Sequence, residues 1–333
     1  MMKKTKLCSY LLLFALLAVP FSCKQGTTQK DPLPSWNETP QKKAIISFMD
    51  SAVKVIPDSD RIAVFDMDGT IACETPLWFE MYAAVNGLNQ QSKANPALLK
   101  QSEYQYAQKL AINPTDTSAT NHWKTDSMVW KAYAGVDNEA YVDSARAYLS
   151  RTKNTKYNIV LSDMFYQPML ELIQYLKDNH FSVYIVSGSV QGVIWSVCPQ
   201  TIGLGRSHLI GTRQILSPTY DPKAKKTSFI IQEGIFPPSN NKNGKSIDIY
   251  TQLGKTPVFA FGNTVGDFGM LHFASTSKYP HAAFLLNHDD AAREYAYKPY
   301  YTKDTIYWRD SLRINGWHLV NMKENFKVVW MKK

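Results

Sequence analysis

The sequence predicts a doubly wound, parallel (Rossmann-like) α/β sheet, and two observations carry the prediction. Short apolar runs recur at residues 61–66, 181–187 and 258–263, each closing on a polar residue. Between them lie longer amphipathic stretches such as residues 167–180, where Met169, Leu170, Leu172, Ile173 and Leu176 recur at helical spacing. Strands that alternate with helices make a parallel sheet covered on both faces. Such a sheet delivers the residues at its strand C-termini to one crevice.

Taken in order, the chain opens with Lys3, Lys4 and Lys6, an apolar run over 11–19, and Pro20-Phe21-Ser22-Cys23. Residues 1–22 read as a secretory signal peptide. The run is too short for a permanent span, which takes roughly 20 apolar residues. Cys23, after a small residue, resembles the cleavage and lipidation site of a bacterial lipoprotein, although Phe21 and the missing upstream Leu depart from the strict pattern. Residues 23–37 are then the lipid-attachment cysteine and a linker, with 24–36, rich in Thr, Gln, Pro and Lys, as a flexible tether. The expected location is the cell envelope, facing the periplasm, with the membrane as a partner through the lipid on Cys23.

Residues 41–56 have the spacing of a lead-in helix, and 61–66 are the first strand. Residues 73–156 are helical in pattern, broken at 113–116 and 135–137. The helix at 167–180 leads to the strand at 181–187, and another helix runs to about Cys198. Residues 208–236 predict a short β excursion, with 210–215 and 228–231 as its strands. A helix at 246–253, the strand at 258–263 and a strand at 282–286 complete the pattern. His288 and Asp289 read as caps of a following helix, with a place near the site, at the C-terminal end of the preceding strand, as the alternative.

The chain carries a formal charge of +9; residues 1–22 hold three lysines and no acid, so their removal leaves +6. That excess suits an anionic substrate. No run of five Lys/Arg occurs, which speaks against nucleic acid as a partner. The histidines lack metal-ligand spacing for zinc. Export permits a disulfide between Cys73 and Cys198 without requiring one.

Chemistry concentrates where the first strand ends, in Asp66-Met67-Asp68-Gly69-Thr70. Two carboxylates spaced i, i+2 repel each other, which makes sense if a cation lies between them or one exchanges protons during a reaction. Downstream, in order, come Ser187-Gly188-Ser189 after an apolar strand, Lys245 in Asn243-Gly244-Lys245-Ser246, and Asn263-Thr264-Val265-Gly266-Asp267 after a third strand. A P-loop reading of Gly244-Lys245-Ser246 fails because Ser239 stands where its first glycine belongs.

These four segments resemble the four ordered signatures of the haloacid dehalogenase superfamily. The last third, with residues 287–297 and 316–323, is similar to a bacterial branch related to phosphoserine and phosphorylcholine phosphatases. The resemblance implies a helical C1 cap inserted after the first strand, at 73–156, over a core of 38–72 and 157–333. It implies Asp66 as nucleophile and Asp68 as general acid and base, a residue that the superfamily's dehalogenases do not use in that way. Ser187, Gly188 and Lys245 would bind phosphate, and Mg²⁺ would be held by Asp66, Asp68, Asn263 and Asp267. Asn263 replaces the commoner Asp and supplies only a neutral ligand. Asp267 could ligate directly, act through water or orient Lys245. Glu74 with Trp78, Phe79 and Tyr82 would select the substrate, for example by holding an ammonium group; a core role for the aromatics is the alternative.

The expected activity is Mg²⁺-dependent hydrolysis of a small phosphorylated metabolite through an aspartyl phosphate. A phosphotransferase with the same intermediate and a non-catalytic binding lipoprotein are the rival readings.

Overall fold

The computed structural model describes residues 31–116, 122–297, 310 and 312–331. Its strands are β1 (Ile62–Phe65), β2 (Ser182–Val190), β3 (Leu209–Thr212), β4 (Gln214–Asp221), β5 (Lys226–Ile235), β6 (Phe259–Gly262), β7 (Ala282–Asn287) and β8 (His318–Asn321). Six of them form one parallel sheet in the order β3-β2-β1-β6-β7-β8.

β1 is apolar throughout because it lies at the centre of this sheet, buried on both faces. Phe65, Phe259, Phe261 and Phe284 pack side by side across three strands, with ring centroids 5.2 to 6.2 Å apart. The lead-in helix α1 (Pro40–Val55) begins at Thr39, whose hydroxyl accepts the Lys42 amide, and Pro40 is pre-set for the first turn. It buries Ile45, Phe48, Met49 and Ala52. From β1 the chain moves to β2 and β3 on one side, then returns to β6 on the other. That reversal opens the crevice at the C-terminal ends of β1 and β6.

Between β1 and β2 lie the cap helices α2 (Phe79–Ala94), α3 (Ser102–Ile112), α4 (His122–Ala132) and α5 (Asn138–Leu149). The Tyr133 hydroxyl donates to the Ala83 carbonyl at 3.0 Å, and Lys131 pairs with Glu103 at 2.6 Å, joining α2, α3 and α4. The core resumes with α6 (Gln167–Asp178), α7 (Gln191–Ile202), α8 (Asn243–Leu253) and α9 (Phe268–Ser275).

The structure departs from expectation in four places. The predicted β excursion divides: β3 extends the central sheet, while β4 and β5 pair as a separate antiparallel hairpin. That hairpin reaches the cap, where Gly135 donates to Ile231 at 2.8 Å and Ile231 to Val136 at 2.9 Å. β8 follows a stretch with no clear strand pattern. Residues 288–297 are irregular rather than helical, so His288 and Asp289 start no helix there; Asp289 Oδ1 instead accepts the Lys323 amide at 2.8 Å, in the short helix Met322–Asn325 that follows β8. The linker is not a tether to its end, because Leu33 and Trp36 are buried. The Trp36 indole donates to the Pro168 carbonyl at 2.9 Å and lies edge-on to Phe326.

The signal segment and Cys23 lie outside the described residues. Among the described residues no helix is long and apolar enough to cross a membrane. Cys73 and Cys198 are free thiols, one beside Glu294 and the other 3.6 Å from the Met67 sulfur.

Candidate active site

The four sequence segments meet at the crevice. Asp66 closes β1 and accepts Lys245 Nζ on Oδ1 at 2.5 Å and the Thr70 hydroxyl on Oδ2 at 3.1 Å. Lys245 enters from the first turn of α8, 2% exposed, and also pairs with Asp267 Oδ1 at 2.9 Å and donates to the Val186 carbonyl. Asp267 is held on both oxygens: its Oδ2 also takes the Asn263 amide at 2.8 Å and the Thr264 amide at 2.9 Å, the latter as half of a capping box. Burial, and then Asp267, push the Asp66 carboxyl up, while Lys245 pulls it back. Burial alone would lower the lysine, but Asp267 and Asp66 outweigh it and keep the ammonium charged.

Asp68 lies in a different environment. No cation pairs with it among the described residues. Its Oδ2 accepts Ser189 Oγ at 2.8 Å and Ser187 Oγ at 3.3 Å, and its buried Oδ1 has no partner. Burial raises this carboxyl to about 7, against the pull of the serine hydroxyls. Burial thus raises both carboxyls, Asp66 also to about 7, and what separates them is their partners: an ammonium on Asp66, only hydroxyls on Asp68.

Ser187 and Gly188 lie within β2, which continues past them to Val190 through an irregularity in its pairing with β3. Ser187 is buried, with its Oγ accepting the Ser189 amide at 3.1 Å, while Gly188 is exposed. Asn240 fixes this segment by donating to the carbonyls of Ser187 and Ile210 at 2.8 and 2.9 Å.

Asn263 Oδ1 and Asp66 Oδ2 flank the same Thr70 hydroxyl, at 3.5 and 3.1 Å, so two oxygen donors from β1 and β6 converge. Gly69 leaves the room for this. Its φ is +75°, and a Cβ there would stand 1.9 Å from Asn263 Nδ2 and 2.5 Å from Glu74 Oε1.

The predicted selecting residues separate. Glu74 is at the site: its Oε1 accepts Asn263 Nδ2 at 3.0 Å and the Tyr297 hydroxyl, and burial raises the carboxyl to about 8. Phe79 and Tyr82 are core side chains, Phe79 against Phe165. Trp78 is partly buried and donates to Glu80 at 3.1 Å.

Glu80 escaped the sequence reading. It starts α2 and crosses from cap to core to accept the Val190 amide at 2.7 Å, and its charge adds to the upward push on Asp68. His288, read as a helix cap with proximity to the site as the alternative, lies beside the site. This buried ring sits 3.1 Å from Glu294 Oε2 through Nδ1 and 2.7 Å from the Gly69 carbonyl through Nε2. Both partners accept, so both nitrogens carry protons and the ring is an imidazolium. Glu294 also receives Tyr166 OH at 2.9 Å and Cys73 Sγ at 3.2 Å, and Tyr297, which holds Glu74, stacks on the imidazole. His288→Gln keeps one donor and strands a buried carboxylate. It should cost about 3 kcal/mol of stability, read from the urea midpoint.

The family model for haloacid dehalogenase-like hydrolases matches residues 63–272. Among solved structures, a conserved protein of unknown function from Anaerococcus prevotii is 14% identical, covers 87% of this chain and 94% of its own, and superposes with a TM-score of 0.54. A protein of unknown function from Bordetella pertussis is 12% identical, with 78% and 98% covered and a TM-score of 0.47. A phosphoserine phosphohydrolase-like protein from Francisella tularensis is 15% identical, with 68% and 88% covered and a TM-score of 0.37. No curated protein matches the chain. The first of these likenesses shows a common fold. With the family match spanning both β1 and the Asn263–Asp267 turn, the chain belongs to the haloacid dehalogenase-like hydrolases.

Proposed function

We propose that the protein is a Mg²⁺-dependent phosphomonoester hydrolase working through an aspartyl phosphate on Asp66. The observation that carries this reading is the contrast in partners between the two carboxyls: Asp66 is paired with Lys245, whereas Asp68 meets only serine hydroxyls and keeps one oxygen free.

Asp66 attacks phosphorus in line with the departing alcohol, so a bond to Asp66 forms as the phosphorus–oxygen ester bond breaks. Asp68 gives its proton to the leaving oxygen. The resulting carboxylate then takes a proton from water, which attacks the phosphorus of the aspartyl phosphate and releases inorganic phosphate with Asp66 restored. The Ser187 hydroxyl and Gly188 amide hold the phosphoryl oxygens. Lys245 offsets negative charge on Asp66 and phosphate, and Asp267, which holds Lys245 on one oxygen and the Asn263 and Thr264 amides on the other, orients that lysine.

The converging oxygens fit a hard cation, so Asp66, the Asp68 main-chain carbonyl and Asn263 would hold Mg²⁺. When bound, the ion neutralises phosphate oxygens and aligns the attack. Glu74, held by Asn263 and Tyr297 at the cap entrance, contacts the substrate beyond its phosphate. The substrate is then a small phosphorylated metabolite.

The test is an assay of the chain from Lys24 onward against a phosphomonoester panel, with Mg²⁺ or with chelator. Phosphate release that needs the metal is expected. No release from any ester would favour a binding protein, and transfer to added alcohols in preference to water a phosphotransferase. The sequence around Cys23 supports export and lipid anchoring of the mature chain in the cell envelope. Its intact mass, starting at an acylated cysteine, checks this.

A further inference from the structure

A side-chain amide has two unlike ends, and only its oxygen can hold a cation. Asn263, just after β6, turns Oδ1 toward the Thr70 hydroxyl that Asp66 also takes, and Nδ2 toward Glu74 Oε1 at 3.0 Å. A half-turn of this amide would exchange the ends and put N–H donors among the oxygens of the crevice. A neighbour that accepts at Nδ2 decides between the two states. Glu74 Oε1 is that neighbour: it takes the Tyr297 hydroxyl as well, and it accepts whether or not the carboxyl carries a proton on Oε2.

The surrounding chain keeps this bond in place. Glu74 lies between β1 and α2, where the chain passes from core to cap, and its side chain comes over Gly69 to reach Asn263. A Cβ on Gly69 would stand 1.9 Å from Asn263 Nδ2 and 2.5 Å from Glu74 Oε1, so the bond fills space that any other residue there would need. Tyr297 holds the same Glu74 oxygen, and its ring stacks on His288 with centroids 4.4 Å apart. The His288 Nε2 lies 2.7 Å from the Gly69 carbonyl, which ties this support back to the turn after Asp68. Two segments distant in sequence therefore converge on one amide.

We propose that Glu74 is a positioning residue for the metal site, holding Asn263 Nδ2 so that Oδ1 is the atom presented to Mg²⁺. This rests on the Mg²⁺-dependent reading above and gives Glu74 a task besides contact with substrate. A carboxylate at position 263 would have two equal oxygens and need no such partner; the neutral amide needs one. In the amide's place a carboxylate would also meet a second carboxyl about 3 Å away.

The test is Mg²⁺ binding without substrate, read from the rise in melting temperature of the chain from Lys24 onward as Mg²⁺ is titrated. Glu74→Met keeps the length of the side chain and removes the acceptor. It should weaken Mg²⁺ binding by about ten- to hundredfold, as loss of a partner that orients a ligand does. Glu74→Gln keeps an accepting oxygen and should stay within about threefold of the parent. In an Asn263→Asp background, Glu74→Met should cause no loss, because no amide remains to be oriented. Glu74→Leu takes the place of Glu74→Met if the latter does not melt cooperatively. The proposal is overturned if Glu74→Met binds Mg²⁺ like the parent, as a role confined to substrate contact requires. It is equally overturned if Glu74→Gln falls as far as Glu74→Met, or if Glu74→Met costs the same in both backgrounds. A parent whose melting does not respond to Mg²⁺ up to about 50 mM would overturn the metal reading itself, and this inference with it.

Discussion

Asp66→Asn should reduce phosphate release by about 10⁴-fold while leaving the protein folded, because it removes the proposed nucleophile, which would act as a unit with Asp68 and Lys245. The amide fits the same space. Its oxygen can face Lys245 and its NH₂ group can face Thr70, whose hydroxyl rotates to accept. Lys245 keeps Asp267 at 2.9 Å, so no buried ammonium is stranded. The chain also loses a buried carboxylate, which offsets the weaker contact with Lys245. The melting temperature should accordingly move by no more than a few degrees. Acid-quenched parent protein, mixed with a phosphate-labelled ester, should carry label that hydroxylamine removes, as an acyl phosphate requires; the variant should carry none. Label retained at parental levels in Asp66→Asn would place the nucleophile elsewhere.

The parts of this site that were legible in the sequence share a physical cause. A strand at the centre of a parallel sheet is buried on both faces, so Ile62 to Phe65 stand out as an unbroken apolar run, and the first polar residue marks the crevice. The same logic located Ser187 and Asn263. What stayed hidden depends on contacts between segments distant in sequence. Glu80 looks like an ordinary acidic residue in a helix first turn, and only the docking of α2 on β2 turns it toward the Val190 amide. The lone hint was a carboxylate among Leu77, Trp78, Phe79 and Met81.

His288 and Glu294 look like helix-cap and surface residues because their segment is rich in charge; their pairing needs the irregular turns after β7, which carry no periodic signal. The β4–β5 hairpin is largely solvent-exposed, so it lacks the alternation that would have marked its length. Asp267 was left open among direct ligation, ligation through water and orienting Lys245, and its bonds to two amides and Lys245 became visible only with the turn after β6 in place.

Asp68→Asn should have the second largest effect, about 10²–10⁴-fold on turnover, and its pattern across substrates identifies the role. Breaking an alkyl ester bond needs a proton for the departing alkoxide, so the variant should stall before any alcohol leaves. A nitrophenyl ester has a leaving group stable as an anion and needs no acid. With that substrate the variant should still phosphorylate Asp66 once, releasing close to one nitrophenolate per chain, and then stop because no base activates water. Steady turnover of both esters at the parental rate would remove Asp68 from the reaction. The same substitution has an opposite sign for stability. Asp68 rises from an ordinary carboxylate to about 7 on folding, so the folded state is favoured when the group is protonated, and that contribution is lost as pH rises through 7. Asparagine has no charge to bury. Measured in chelator, Asp68→Asn should therefore melt a few degrees above the parent at pH 8, where the parent carries an unpaired buried carboxylate. The gain should shrink as pH falls toward the range in which unfolded aspartates take up protons. A variant that is catalytically crippled yet more stable at alkaline pH is the expected signature of a carboxyl held at an energetic disadvantage because its reaction requires a proton there.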